Sequence, residues 1–243
     1  MIFYIGSCRY TYSEILRFTC FPARLHTTSE ILYFLENLGR ISDVLANTPD
    51  ELHNYIFGDL FHPSVKDLTK SYLEKEMEVV KQTTGLVLEI CSRKVYFYGD
   101  IPVSNFYINC HGGHLIEKYN LKLVSLEDDV LSRDLEKIKR LTRTIFSTCN
   151  DTFRAHIIPH LSLKTMSLQD YIPERRSLKN SLKQISSSIG YEFHDIGEFL
   201  ETYHSGLRTD KDLLLEDVMS DSLHYDHTPY CQVLFHYLSI KIK

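Results

Sequence analysis

Apolar residues along the chain fall into two rhythms, short continuous runs and longer stretches with a helical repeat. Ile2 to Ile5 is a short apolar run that stops at Gly6, as a buried strand stops at a turn. Thr27-x-x-Glu30 is a capping box, and Ile31, Leu35 and Leu38 follow it at helical spacing. Val65, Leu68 and Tyr72 open a second amphipathic helix, which Gly85 is expected to end. Leu86 to Ile90 is the next buried strand, and Lys94 to Cys110, rich in Tyr and Phe around Gly99-Asp100, predicts a hairpin-like insertion. Leu131, Leu135, Ile138 and Ile145 place one stripe on a long helix, and Arg154 to His160 returns as a strand. Leu178, Leu182, Ile185 and Ile189 mark a further helix ending at Gly190. Tyr191 to Ile196 predicts a last strand, and Pro229 to Leu238 a closing helix.

Four strands alternating with about five helices predict a three-layer α/β/α sandwich around a mainly parallel sheet. No repeat or low-complexity linker divides the 243 residues, so one domain spanning 1–243 is expected. Composition alters this picture little, with 43% hydrophobic and 24% charged residues. The net charge of −5 argues against a broad nucleic-acid face, which needs clustered Lys and Arg. The basic stretch Lys137 to Arg143 reads as the solvated side of its helix. No run approaches the ~18 apolar residues of a membrane span, and the opening residues carry no charged leader. Six cysteines (Cys8, Cys20, Cys91, Cys110, Cys149 and Cys231) lack a Cys-x-x-Cys pair and read as mostly buried free thiols in a reducing, cytoplasmic compartment.

In open α/β sheets ligands bind beyond the carboxyl ends of the strands, so the residues just after each strand are the ones to read for chemistry. After the first strand come Gly6-Ser7-Cys8-Arg9. Glycine lets the chain turn sharply, exposing the next side chains and aiming backbone N–H groups at one point. This suits a nucleophile sharing its turn with an oxyanion hole, although a tight turn over a buried thiol has the same sequence. Near the other end lies Asp221-Ser222-Leu223-His224. An Asp three residues before a His can hold one imidazole nitrogen and leave the other for a nucleophile.

These two motifs, in this order, resemble the SGNH (GDSL-like) hydrolases. That family carries Gly-x-Ser after the first strand and Asp-x-x-His before the last helix. The opening Gly-Ser-Cys is also similar to the GSCFA-type and Gly-Asn-Cys-type branches, linked to polysaccharide modification. The resemblance implies an esterase or O-acyltransferase acting on an acylated small molecule or carbohydrate, with an acyl-carrier thioester as one donor and no cofactor. It implies Asp221 and His224 as two triad members. Counting from Gly6, the family's serine falls on Cys8, while residue type favours Ser7, so both stand as nucleophiles. The family's second block, a Gly, corresponds to Arg24-Leu25-His26-Thr27-Thr28, and its third, an Asn, to Cys91-Ser92-Arg93. Thr27 and Ser92 are thus the candidates beside the oxyanion, with the Ser92 hydroxyl standing in for the Asn. These departures also fit a member that kept the fold and lost its activity.

Arg9, Arg93 and Lys94 are expected on one rim, able to receive an anionic group, and His160 lies where the third strand would meet the crevice. Solvated rim charge and a hydrogen-bonded edge histidine are the plainer readings. Cys110-His111-Gly112-Gly113-His114 has two histidines around a flexible Gly-Gly turn but lacks the second half of a tetrahedral site, so no metal is expected.

Overall fold

A computed structural model of the chain describes residues 2–6, 19–57, 85–145, 154–159 and 171–195. Five strands form one sheet: β1 (Ile2–Gly6), β2 (Thr19–Arg24), β3 (Gly85–Ile90), β7 (Arg154–Pro159) and β8 (Glu192–Phe193). Their order is β2-β1-β3-β7-β8, and every neighbouring pair is parallel. The expected α/β class with a parallel sheet is therefore present.

β3 forms the middle of this sheet, and its sequence shows why. Leu86, Leu88 and Ile90 join the core on one side, while Val87 and Glu89 are also fully buried. A strand covered on both faces carries a continuous apolar run, and burying each such side chain contributes about 1.5–3 kcal/mol. Gly85, expected to follow the helix from Val65, is itself the first residue of β3, paired with Ile2 and Arg154.

β2 lies at the sheet's edge and is missing from the pattern-based reading because Pro22 interrupts its run. Proline lacks a backbone N–H and is tolerated where a strand has a neighbour on one side only. The pairing with β1 is irregular here, moving from Tyr4 opposite Cys20 to Gly6 opposite Arg24.

Five short or medium helices follow the first two strands and the first half of the core: α1 (Thr28–Glu36), α2 (Ile41–Ala46), α3 (His53–Ile56), α4 (Asn105–His111) and α5 (Gly113–Lys118). Two long ones are also present among the described residues, α6 (Asp128–Ile145) and α7 (Tyr171–Ile189). α6 buries Leu131, Leu135, Ile138 and Thr142 on one stripe, and Asp128 and Asp129 in its first turn complement the helix dipole. Lys137, Arg140 and Arg143 are exposed on the opposite side, as the spacing predicts. Buried Asp134 ties α6 to α1 by accepting from Thr28 Oγ1 at 3.1 Å and Ser29 Oγ at 2.7 Å. α7 packs through Leu178, Leu182 and Ile185 and stops at Gly190, whose φ of 72° is left-handed. The Tyr191 N–H then returns to Ser186 O at 2.9 Å, closing a Schellman cap.

The aromatic stretch after β3 is indeed a hairpin, β4 (Lys94–Tyr98) and β5 (Ile101–Val103), turning at Gly99 with φ 58°. It extends into a separate three-stranded antiparallel sheet through the edge strand β6 (Lys122–Ser125), and residues 105–110 are helical rather than part of the hairpin. β8 covers only Glu192–Phe193 of the expected strand Tyr191 to Ile196. The helices expected from Val65 and over Pro229 to Leu238 lie outside the described residues. Among the described residues no helix is long and apolar enough to cross a membrane.

Gly112 and Gly113 are not a flexible turn. Gly112 is buried, and a Cβ there would stand 2.9 Å from Tyr55 Cε1 and 3.0 Å from Ile108 Cδ1. The glycine lets the α4–α5 corner press against α3. Thiol burial also differs from expectation for the two cysteines whose side chains are described. Cys91 is half-buried and Cys110 exposed, because both sit at element ends rather than on core stripes.

Candidate active site at the carboxyl edge of the sheet

Counting only the strands of the parallel sheet, the order is 2-1-3-4-5, the doubly wound arrangement whose connections diverge between its first and third strands. Ligands in such sheets bind at the carboxyl ends of those two strands. Here these ends are Gly6 of β1 and Ile90 of β3.

The segment leaving β2 crosses this place. Leu25 N–H donates to Gly6 O at 2.9 Å, and one residue later His26 O accepts from both Cys91 N and Ser92 N at 3.0 Å. The Cys91 thiol donates to the same carbonyl at 3.6 Å. Backbone groups that would be left open where the two strands diverge are thus satisfied. Leu25, fully buried, anchors the crossing in the core.

Thr27 then caps α1, as the capping box predicts. Glu30 N donates to Thr27 Oγ1 at 3.2 Å, and Glu30 Oε2 accepts from Thr27 N at 2.9 Å, Thr27 Oγ1 at 2.7 Å and His26 N at 3.3 Å. Such a glutamate usually stands in solvent, but this one is 1% exposed. Burial pushes its pKa up to about 7, against the hydrogen bonds from Thr27, the backbone of His26 and Thr27, and Ser104 that favour the charged form.

Ser104, also fully buried, precedes α4, but its side chain does not cap that helix. Its hydroxyl instead lies 3.4 Å from His26 Nδ1. The His26 ring packs against Phe106 and Tyr107 of α4, with centroids at 5.3 and 5.8 Å. Sequence reasoning missed His26, Glu30 and Ser104 as a group. The capping box was the available signal, but its burial beneath a second helix is not legible in four residues.

Of the residues singled out from sequence, the structure brings Thr27 and Ser92 together at the carboxyl edge. The Ser92 hydroxyl is occupied locally, accepting from Lys94 N at 2.9 Å and donating to Lys94 O at 3.3 Å. Oxyanion donation by that hydroxyl would require breaking this turn. Arg93 points away from the edge toward α6 and α7, reaching Asp128 Oδ1 at 2.7 Å, Leu126 O at 2.9 Å and Ser181 Oγ at 2.6 Å. Lys94 is paired with Glu174 at 2.7 Å. Arg93 and Lys94, the two described cations of the expected rim, are thus engaged with carboxylates. Ser7, Cys8, Arg9, His160, Asp221 and His224 lie outside the described residues. Cys110, His111 and His114 are exposed on α4 and α5, and among the described residues no three His, Cys, Asp or Glu side chains are grouped to hold a metal.

No protein-family model matches the chain, and no curated protein matches it in sequence. Among solved structures it is similar to a point variant of an acetyl-xylooligosaccharide esterase from Geobacillus stearothermophilus, at 12% identity and a TM-score of 0.47, covering 99% of this chain and 93% of that one. An acetyl xylan esterase, AlAXEase, is similar at 8% identity and a TM-score of 0.45, with 98% of each chain covered. A protein from Parabacteroides merdae, considered a GDSL-like lipase, is similar at 12% identity and a TM-score of 0.45, covering 100% of this chain and 95% of that one.

Proposed function

We propose that the chain is an SGNH-type acyl-ester hydrolase acting on an acylated small molecule or carbohydrate. One observation supports the reading: β1 ends at Gly6 where the strand order diverges, the position where this topology binds ligands, and Ser7 and Cys8 are the next residues in the sequence. The Asp221-x-x-His224 motif supplies the partner that a nucleophile there requires.

In this mechanism Cys8 or Ser7 attacks the ester carbonyl as His224 accepts its proton, and Asp221 holds the imidazole in the required tautomer. Backbone N–H groups of the 6–8 turn stabilise the tetrahedral oxyanion. His224 returns the proton to the leaving alkoxide, and water, activated by the same imidazole, releases the acid. A sugar hydroxyl in place of water makes the reaction an acyl transfer, and a carrier thioester would serve as donor through Cys8. The chain needs no cofactor for this and would act as one cytoplasmic domain over 1–243, with helices on both faces of the sheet. Burial of both sides of β3 supports that layering.

A panel of short-chain aryl esters tests the proposal. Turnover by the full chain that His224→Ala abolishes, with folding unchanged, is the expected result; turnover unaffected by His224→Ala removes the triad. A second reading, a binding or scaffold protein without turnover, is favoured by the engagement of the Ser92 hydroxyl with Lys94. A folded chain that neither hydrolyses the panel nor reacts with a serine/cysteine-directed acylating probe would establish that reading instead.

A further inference from the structure

Phe106, in the first turn of α4, is 41% exposed, yet its ring is held in place. It lies tilted against the buried His26 ring, with centroids 5.3 Å apart and an angle of 30° between planes. The Tyr107 ring meets it edge-on, at 5.3 Å and 82°. His26 is the residue that crosses between the ends of β1 and β3, where its carbonyl oxygen accepts from Cys91 N and Ser92 N. An aromatic ring open to solvent is therefore fixed beside the place where this topology binds ligands.

The outer side of α4 around this ring is uncharged. Helical spacing sets Asn105, Asn109, Phe106 and Cys110 side by side around the helix, while Tyr107 and Ile108 are buried. Asn109 and Cys110 are exposed and Asn105 half-buried, and residues 105–110 include no Asp, Glu, Lys or Arg. The outer side of α6, by contrast, is dense with charge. Asn109 Nδ2 donates to Asn105 Oδ1 at 3.1 Å, which joins the two amides into one polar group. An amide has two N–H donors and an acceptor oxygen, so after this bond the pair still offers Asn105 Nδ2 as a donor and Asn109 Oδ1 as an acceptor.

We propose that Phe106, Asn105 and Asn109 form a subsite for an uncharged carbohydrate ring; that this ring is the alcohol part of the ester rests on the reaction proposed above. The C–H groups on one face of a pyranose carry partial positive charge and meet the negative face of the phenyl ring. Sugar hydroxyls both donate and accept, as the amide pair does. A phosphorylated or acidic sugar calls for cations, but Arg93 and Lys94 are engaged with Asp128 and Glu174. An acyl chain calls for an apolar wall, and here amides flank the ring. Because His26 and Tyr107 already hold Phe106, stacking on it orders little that was free.

Binding of the full chain to an array of neutral and acidic oligosaccharides tests the subsite, followed by NMR titration with the best-retained neutral glycan and with hexanoate. Phe106→Leu, which keeps apolar bulk but removes the π face, identifies the Phe106 ring signals by their loss. Neutral glycans should be retained in preference to acidic ones, and the Phe106 ring and the Asn105 and Asn109 amide signals should shift on titration. Phe106→Ala and Phe106→Leu should each weaken binding about tenfold, and Asn109→Ala should weaken it as well. If Phe106→Ala does not fold, Phe106→Leu and Asn109→Ala decide. Retention of no neutral glycan, preference for acidic ones, unchanged affinity in Phe106→Leu, or Phe106 signals that move with hexanoate alone overturns the subsite. Binding needs no turnover, so glycan binding without hydrolysis counts against the proposed reaction only, and ester hydrolysis without glycan binding counts against the subsite only.

Discussion

Leu25 donates its backbone N–H to the carbonyl oxygen of Gly6 at 2.9 Å, and this bond carries the chain over the end of β1. Because of it, His26 and Thr27 lie at the carboxyl edge between β1 and β3 rather than beside the outer strand. A polar cluster consequently sits at the carboxyl end of β1.

Burial of Glu30 makes stability depend on pH with a definite sign. Its folded pKa, about 7, is above the ordinary 4.5, so the folded state holds the proton more tightly than the unfolded chain. The contribution is complete below pH 4.5 and is lost as pH rises through 7, amounting to roughly 3 kcal/mol. Urea denaturation at pH 5 and pH 8 should show the wild type weakening over this interval, and Glu30→Gln should remove most of that difference.

Arg93 joins the end of β3 to α6 and α7 through Asp128, Leu126 and Ser181. Burial works to raise the Asp128 pKa, but hydrogen bonds from Arg93 and Ser181 and the Arg93 charge outweigh it, leaving the carboxyl below its ordinary value. Arg93→Ala should cost about 2 kcal/mol at neutral pH through the lost charge-assisted bonds. The penalty should shrink in strong acid, once Asp128 is protonated in both folded proteins. Denaturant midpoints followed from pH 7 to well below the ordinary Asp value of 3.8 check this.

Adjacent glycines at the α4–α5 corner should respond differently to the same change. Gly112→Ala brings a methyl group to 2.9 Å from the Tyr55 ring and should destabilise by about 1–3 kcal/mol. Gly113→Ala meets nothing within 4 Å and should leave the melting temperature unchanged or slightly raised. Equal losses in the two variants would show that the corner is not packed as described.

The identity of the nucleophile separates two outcomes. With Cys8 attacking, Cys8→Ala is inactive, Ser7→Ala retains turnover, and iodoacetamide at mildly acidic pH modifies Cys8 ahead of the other cysteines, more slowly in His224→Ala. With Ser7 attacking, Ser7→Ala is inactive, Cys8→Ala remains active, and alkylation has no preferred site. We expect the first pattern, from the register of Cys8 after Gly6.

The hydrophobic pattern by itself determined the elements whose side chains decide their conformation. β3 is legible because both its faces are buried, α6 and α7 because their apolar residues recur at helical spacing, and the start of α1 because Thr27 and Glu30 satisfy each other's backbone. The tertiary structure decided what depends on neighbours distant in sequence. β2 carries a proline that only an edge position tolerates, and β6 exposes Leu123 and Val124 while pairing with β4 alone. Gly85 becomes the start of a strand because β1 and β7 lie on either side of it. Glu30 has the sequence of a solvent-facing cap, and its change in character comes from α4, whose Ser104 and aromatic residues close over the capping box and His26. Local spacing sets which groups can bond along one helix, whereas desolvation, and with it the ionisation of Glu30, is set by whatever the rest of the chain packs on top.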